Sequence, residues 1–227
     1  MKITAIMTCN KFWNRFRACA PHWETAAKNG EEGWLKVQVG HPQLRPASGT
    51  LPQSIFEYRH LPDVYPKNSR VESKPAMLKK MIDNMRQNPP TYVLFTDADI
   101  IPPPDLFEAI TSKSVVFWVA HRVDLNQVMT ESFLRSGELP SDEVLRAHPI
   151  VGKKVGMGWF QMVRWEALSS VYPSLQWDTP GYDKFDYSLW QELNNRFGSR
   201  LIQTKRPFVH LWHGDPGSTW QGTNKEW

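Results

Sequence analysis

Residues 91–107, TYVLFTDADIIPPPDLF, restrict the possible folds more than any other stretch of the chain. Residues 92–96 are strand-forming and mostly apolar, and such a run reads as a buried strand. It ends in Asp97-Ala98-Asp99, then Ile100-Ile101, and prolines 102–104 stop it. In open α/β sheets, ligands bind beyond the carboxyl ends of the strands. The two aspartates therefore stand where a ligand would. Their spacing lets both side chains reach one edge of the sheet, where like charges a few ångströms apart call for a cation between them. Oxygen ligands suit Mg2+ or Mn2+, ions that keep several waters and bridge to phosphates. The competing reading is a plain strand-end turn in which an aspartate caps the next helix.

The remaining segments alternate in type. Residues 2–8 predict a first strand ending at Thr8-Cys9-Asn10. Residues 11–28 carry Phe12, Phe16 and Cys19 at helical spacing, with Pro21 expected to interrupt. Two short strands follow at 34–39 and 56–61. Residues 75–88 make the clearest helix: Met77, Leu78, Met81, Ile82 and Met85 form one stripe, and Pro89-Pro90 close it. After the aspartates come a short helix near 104–111, a buried strand at 114–120, and a polar segment at 121–155 with a helix around 127–136. A strand at 159–163 runs into a helix at 164–171. A further helix at 185–197 and a strand at 207–212 close the pattern. Strands alternating with helices predict an α/β fold with a mainly parallel central sheet. A chain of 227 residues suits one sizeable domain.

Composition narrows the function classes. No apolar run reaches the length of a membrane span, and MKITAIMTCNKFW lacks the layout of a signal peptide, so the chain is expected to be cytoplasmic. Two cysteines, Cys9 and Cys19, make neither a disulfide framework nor a zinc cluster and fit a reducing compartment. The net charge of +4 favours phosphate-bearing partners only weakly. Eleven tryptophans are too many to be all functional. Trp118, Trp165 and Trp190 lie in apolar periodic runs and read as core. Trp159, Trp177 and Trp220 adjoin Gly, Pro or Asp and are expected near the site, where an aromatic face can stack on a sugar or a base.

A buried strand followed by D-A-D and I-I-P resembles the D-x-D segment of GT-A fold glycosyltransferases, specifically the inverting, family-2-like type. The resemblance spans roughly residues 1–215 and implies a single Rossmann-like glycosyltransferase domain over residues 1–227. Residues 1–112 would be its nucleotide-sugar half and residues 113–227 its acceptor half. It implies a metal held by Asp97, Asp99 and a late histidine. VHLWHGDPG offers His210 and His213, of which His213 is preferred because it meets a Gly-Asp-Pro-Gly turn. ITAIMTCNK is similar to the strand that cradles the nucleotide, implying Thr8 and Asn10 near the base and ribose, with Lys74 facing the donor and Asp97 shared with it. GMGWFQMVRWEAL is similar to the acceptor-side turn, implying roles for Gly158 and Trp159. In YDKFDYSLWQEL the position of the general base falls on Asp186. Phe185 stands where the family has an acid, which leaves Asp183 as the alternative base or an acceptor contact. The second strand lacks the acidic turn that many members use to hold uridine.

The resemblance implies a Mn2+- or Mg2+-dependent hexosyltransferase using a nucleotide-diphosphate sugar, a UDP-sugar first, with a glycan or lipid-linked acceptor. Hydroxymethylated pyrimidines in DNA are the alternative acceptor. Two other classes compete. A D-x-D phosphohydrolase would carry its motif in the first strand rather than some 90 residues in. A sugar-binding module would account for the tryptophans but not for the aspartates, the basic helix and the late histidine together.

Overall fold

The computed structural model describes residues 1–9, 13–41, 52, 54–61, 74–110, 114–148, 150–151, 159–177 and 182–212. Eleven strands and seven helices follow one another among them. In chain order they are β1 (Ile3–Thr8), α1 (Trp13–Lys28), β2 (Leu35–His41), β3 (Phe56–His60), α2 (Lys74–Met85), β4 (Tyr92–Thr96), β5 (Ile100–Ile101) and α3 (Leu106–Ala109). Then come β6 (Phe117–Val119), β7 (Arg122–Asp124), α4 (Gln127–Ser136), α5 (Asp142–Ala147), β8 (Ile150–Val151), β9 (Phe160–Arg164), α6 (Trp165–Val171), α7 (Tyr182–Phe197), β10 (Arg200–Leu201) and β11 (Phe208–His210).

Seven strands form the central sheet in the order β10-β6-β9-β4-β1-β2-β3, all parallel except β9. Both faces are covered. On β4, Tyr92 and Leu94 point into the cluster built around α1, while Val93 and Phe95 point into the one built around α2, α6 and α7. That two-sided burial is why residues 92–96 read as a continuous apolar run. β1 does the same with Ala5 and Ile6.

The second sheet, in the order β5-β11-β7-β8, is not among the sequence expectations, although the strand expected at 207–212 is present in it as β11. Its other strands are two or three residues long, too short for periodicity to register. Ile100, Ile101, Val123, Phe208 and Val209 bury it on the α1 side. The indole N–H of Trp23 donates to the Ile100 carbonyl at 2.9 Å and ties α1 to β5.

Pro21 does not interrupt α1. The helix runs unbroken through it from Trp13 to Lys28. Its stripe of Trp13, Phe16, Cys19, Ala20, Trp23 and Ala26 is buried, and that packing outweighs the local cost of a proline on the exposed face. Trp118 is core as expected, and Cys9 and Cys19 are buried thiols. Trp159 and Trp177, expected at an exposed site, are only 5% and 6% exposed. Trp177 packs on Phe185 and Tyr172 instead, and Trp220 lies outside the described residues. No helix among the described residues is long and apolar enough to cross a membrane. Replacing Pro21 with Ala is expected to raise stability by about 1 kcal/mol in urea unfolding. An unchanged or lower midpoint would show that the ring itself is needed by α1.

Candidate active site

The order of strands locates the site before any side chain is considered. From β1 the chain steps outward through β2 and β3, then returns to place β4 on the other side of β1. The carboxyl ends of β1 and β4 therefore flank the switch point where open α/β sheets bind ligands. Thr8 closes β1 there, and Asp97 follows the last residue of β4.

Asp97 and Asp99 do not share one cation among the described residues. The ammonium of Lys74, the first residue of α2, lies 2.7 Å from Asp97 Oδ1 and 2.9 Å from Asp186 Oδ2. Asp99 instead faces His210, whose Nε2 is 3.5 Å from Asp99 Oδ2. Each of the two aspartates thus has a basic side chain of its own beside it.

Burial works against the charge on Lys74, yet the carboxylates of Asp186 and Asp97 outweigh it and hold the ammonium's pKa above that of an ordinary lysine. A cation at the start of a helix is otherwise disfavoured by the helix dipole. Asp186 sits near the start of α7, where Phe185, Leu189 and Leu193 are the buried face. Phe185, the residue that departs from the family pattern, is 1% exposed and packs at a tilt against Trp177 with ring centres 5.0 Å apart. It anchors the helix and leaves its neighbour Asp186 beside Lys74. Gln161, buried in β9, donates its side-chain amide to the Asp186 carbonyl at 2.8 Å.

The second sheet assembles the other half. β5 pairs antiparallel with β11 so that Ile100 stands opposite His210, and the Leu211 amide donates to the Asp99 carbonyl at 3.1 Å. β7 pairs parallel with β11 and sets Asp124 opposite His210. His210 Nδ1 lies 2.9 Å from Asp124 Oδ1, and Arg122 Nε lies 2.8 Å from the same oxygen. Burial alone would lower the His210 pKa, but the Asp99 charge and the Asp124 hydrogen bond push it up to about 9. Asp124 is also partly buried, yet the hydrogen bond to His210 and the charge of Arg122 hold its carboxyl below the usual carboxylate range.

No group of three or more His, Cys, Asp or Glu side chains among the described residues is gathered to hold a metal. The donor chemistry nevertheless fits Mn2+ or Mg2+. Asp99 and the Nε2 side of His210 face each other, Asp97 is the more open carboxylate with 31% of its side chain exposed, and Asp124 backs His210. A carboxylate on the far ring nitrogen is the usual way a histidine ligand is oriented.

Thr8, Lys74, Asp97, Asp99 and Asp186 thus converge on one end of the sheet. Trp159 lies buried beneath the Arg122 guanidinium, 5.5 Å from its ring centre. Asn10, Gly158 and His213 lie outside the described residues, and Asp183 is placed only by backbone, in the first turn of α7. Asp124 was missed because an isolated aspartate in a polar segment carries no signal until β7 is seen beside β11.

No family model matches the chain, and no curated protein sequence matches it. Solved structures do match in three dimensions. TarS 1-349 from S. aureus superposes with a TM-score of 0.57 at 11% identity, covering 93% of this chain and 60% of that one. The mannosyltransferase PcManGT from Pyrobaculum calidifontis, in complex with GDP-Man and Mn2+, gives a TM-score of 0.51 at 16% identity, over 95% of this chain and 58% of that one. The fold is the GT-A glycosyltransferase fold. TarS 1-349 in complex with UDP-GlcNAc matches as well, at a TM-score of 0.53 and 12% identity over 95% of this chain and 60% of that one. This GT-A chain spans about 60% of the length of TarS 1-349.

Removing the shared cation should expose what holds the site together. Lys74→Met is expected to cost about 3 kcal/mol in denaturant unfolding, because it strands two carboxylates, one of them partly wet. A loss below about 1 kcal/mol would show that solvent already compensates both charges.

Proposed function

We propose that the protein is a metal-dependent glycosyltransferase that moves a sugar from a nucleotide-diphosphate sugar, a UDP-sugar first, to an acceptor hydroxyl with inversion. The observation that carries this reading is the meeting of Asp97 and Asp186 on Lys74 at the switch point of a GT-A sheet, with Asp99 and His210 paired beside it. Thr8, with Asn10 after it, would border the base and ribose. Asp97, Asp99 and His210 would hold Mn2+ or Mg2+, with His213 as the alternative histidine. When bound, the metal offsets the negative charge that gathers on the departing diphosphate.

Asp186 takes the proton from the acceptor hydroxyl as that oxygen bonds to the anomeric carbon. The bond from that carbon to the diphosphate oxygen breaks, and its electron pair leaves with the nucleotide diphosphate. Attack from the face opposite the leaving group inverts the anomeric centre. Gly158, Trp159 and Asp183 are the residues proposed to contact the acceptor, and a glycan or lipid-linked sugar is the acceptor class proposed. The fold shared with PcManGT, solved with GDP-Man and Mn2+, favours sugar transfer over phosphate hydrolysis.

Purified protein with Mn2+ is to be tested against UDP-, GDP-, TDP- and CMP-sugars by thermal shift and nucleotide release. One donor is expected to give a metal-dependent shift that Asp99→Ala abolishes. The absence of any such shift would sink the reading. Asp186→Asn should retain donor binding and lose about 10²–10⁴ in turnover, and full turnover in that variant would remove Asp186 as base. Asp124→Asn is expected to weaken Mn2+ binding, read by electron paramagnetic resonance of unbound Mn2+, by about 10-fold or more. Unchanged affinity would detach His210 from the metal.

A further inference from the structure

We propose that Lys74 is the positioning residue of the base, fixing the Asp186 carboxylate for proton abstraction rather than binding the donor's phosphates. The inference rests on Asp186 being the base, as proposed above. Two of the three ammonium donors of Lys74 are engaged, with Asp97 Oδ1 at 2.7 Å and Asp186 Oδ2 at 2.9 Å. Its side chain is 5% exposed, whereas that of Asp97 is 31% exposed, so the carboxylate and not the ammonium reaches solvent. A lysine that served as a point charge for phosphate would stand at the opening, with its donors turned outward.

The backbone at Asp186 is held on two sides: Phe185 packs the helix start against Trp177, and Gln161 Nε2 donates to the Asp186 carbonyl at 2.8 Å. Lys74 in turn grips one oxygen of its carboxylate. Because the same ammonium grips Asp97, the carboxylate proposed for the metal and the one proposed as base are held at a fixed separation. An acceptor hydroxyl must lie between the base and the anomeric carbon within hydrogen-bond reach, so that separation bears directly on transfer.

Lys74→Met and Lys74→Arg are to be compared with the wild-type protein in the presence of Mn2+. Calorimetry gives donor affinity and the fraction of donor-binding sites, and transfer is measured per binding site at saturating donor. Donor affinity is expected to stay within about 3-fold of wild type in both variants. Transfer per site should fall about 100-fold in Lys74→Met and about 10-fold in Lys74→Arg, which keeps a cation for both carboxylates but in a different shape. A donor affinity about 10-fold weaker with transfer at saturation retained overturns the proposal and makes Lys74 a phosphate ligand. Unchanged transfer per binding site in Lys74→Met also overturns it, leaving a purely structural ion pair. Should Lys74→Met fail to fold, Lys74→Arg decides alone by the same split between affinity and turnover. A wild-type protein that binds no nucleotide sugar removes the transferase reading itself. Full turnover in Asp186→Asn removes the base assignment, and either result takes the present proposal with it.

Discussion

One buried ammonium stands at the centre of this site. Lys74 lies between a carboxylate that follows β4 and a carboxylate on α7, which stand 23 and 112 residues further along the chain. Neither the partly exposed Asp97 nor the buried Asp186 would be comfortable without that charge, and the lysine would not be comfortable at a helix start without them. Each group makes the other tolerable. The triad therefore fixes where α2, α7 and the end of β4 meet, and that meeting lies at the switch point.

The small second sheet does comparable work on the other side of the motif. β5 is the direct continuation of the D-x-D turn, and its pairing with β11 carries Asp99 to His210. β7, on the far side of β11, brings Asp124 and Arg122. The result is a chain of alternating charges: Asp99, His210, Asp124, Arg122. The histidine is held from both ring nitrogens, which fixes its ring plane and directs Nε2 at Asp99. Two carboxylates separated by one alanine thus belong to two different charge networks, one reaching through α2 to α7 and the other through the second sheet.

Much of this was legible in residues 92–99 because the physics there is local. An apolar strand covered on both faces has a distinctive pattern, and charges at its end have few explanations. Helix α2 was equally legible from its methionine stripe. The proline in α1 misled because the penalty of a proline is local, whereas the burial of Trp13, Phe16 and Trp23 that overcomes it belongs to the whole layer. Trp159 and Trp177 misled in the opposite sense, since neighbouring Gly, Pro or Asp says nothing of what lies above a ring in space.

The sequence by itself determined the α/β alternation, the buried strand at 92–96, and the presence of acidic side chains at its carboxyl end. These follow from short-range patterning, the period of apolar residues and the positions of prolines. Tertiary structure alone decided that Lys74 answers to Asp186 as well as Asp97, that His210 answers to Asp99, and that Asp124 stands behind it. Those pairings depend on strand order and on two- and three-residue strands whose register is set by partners far along the chain. Pairing of that kind leaves no periodic trace in the residues that take part in it.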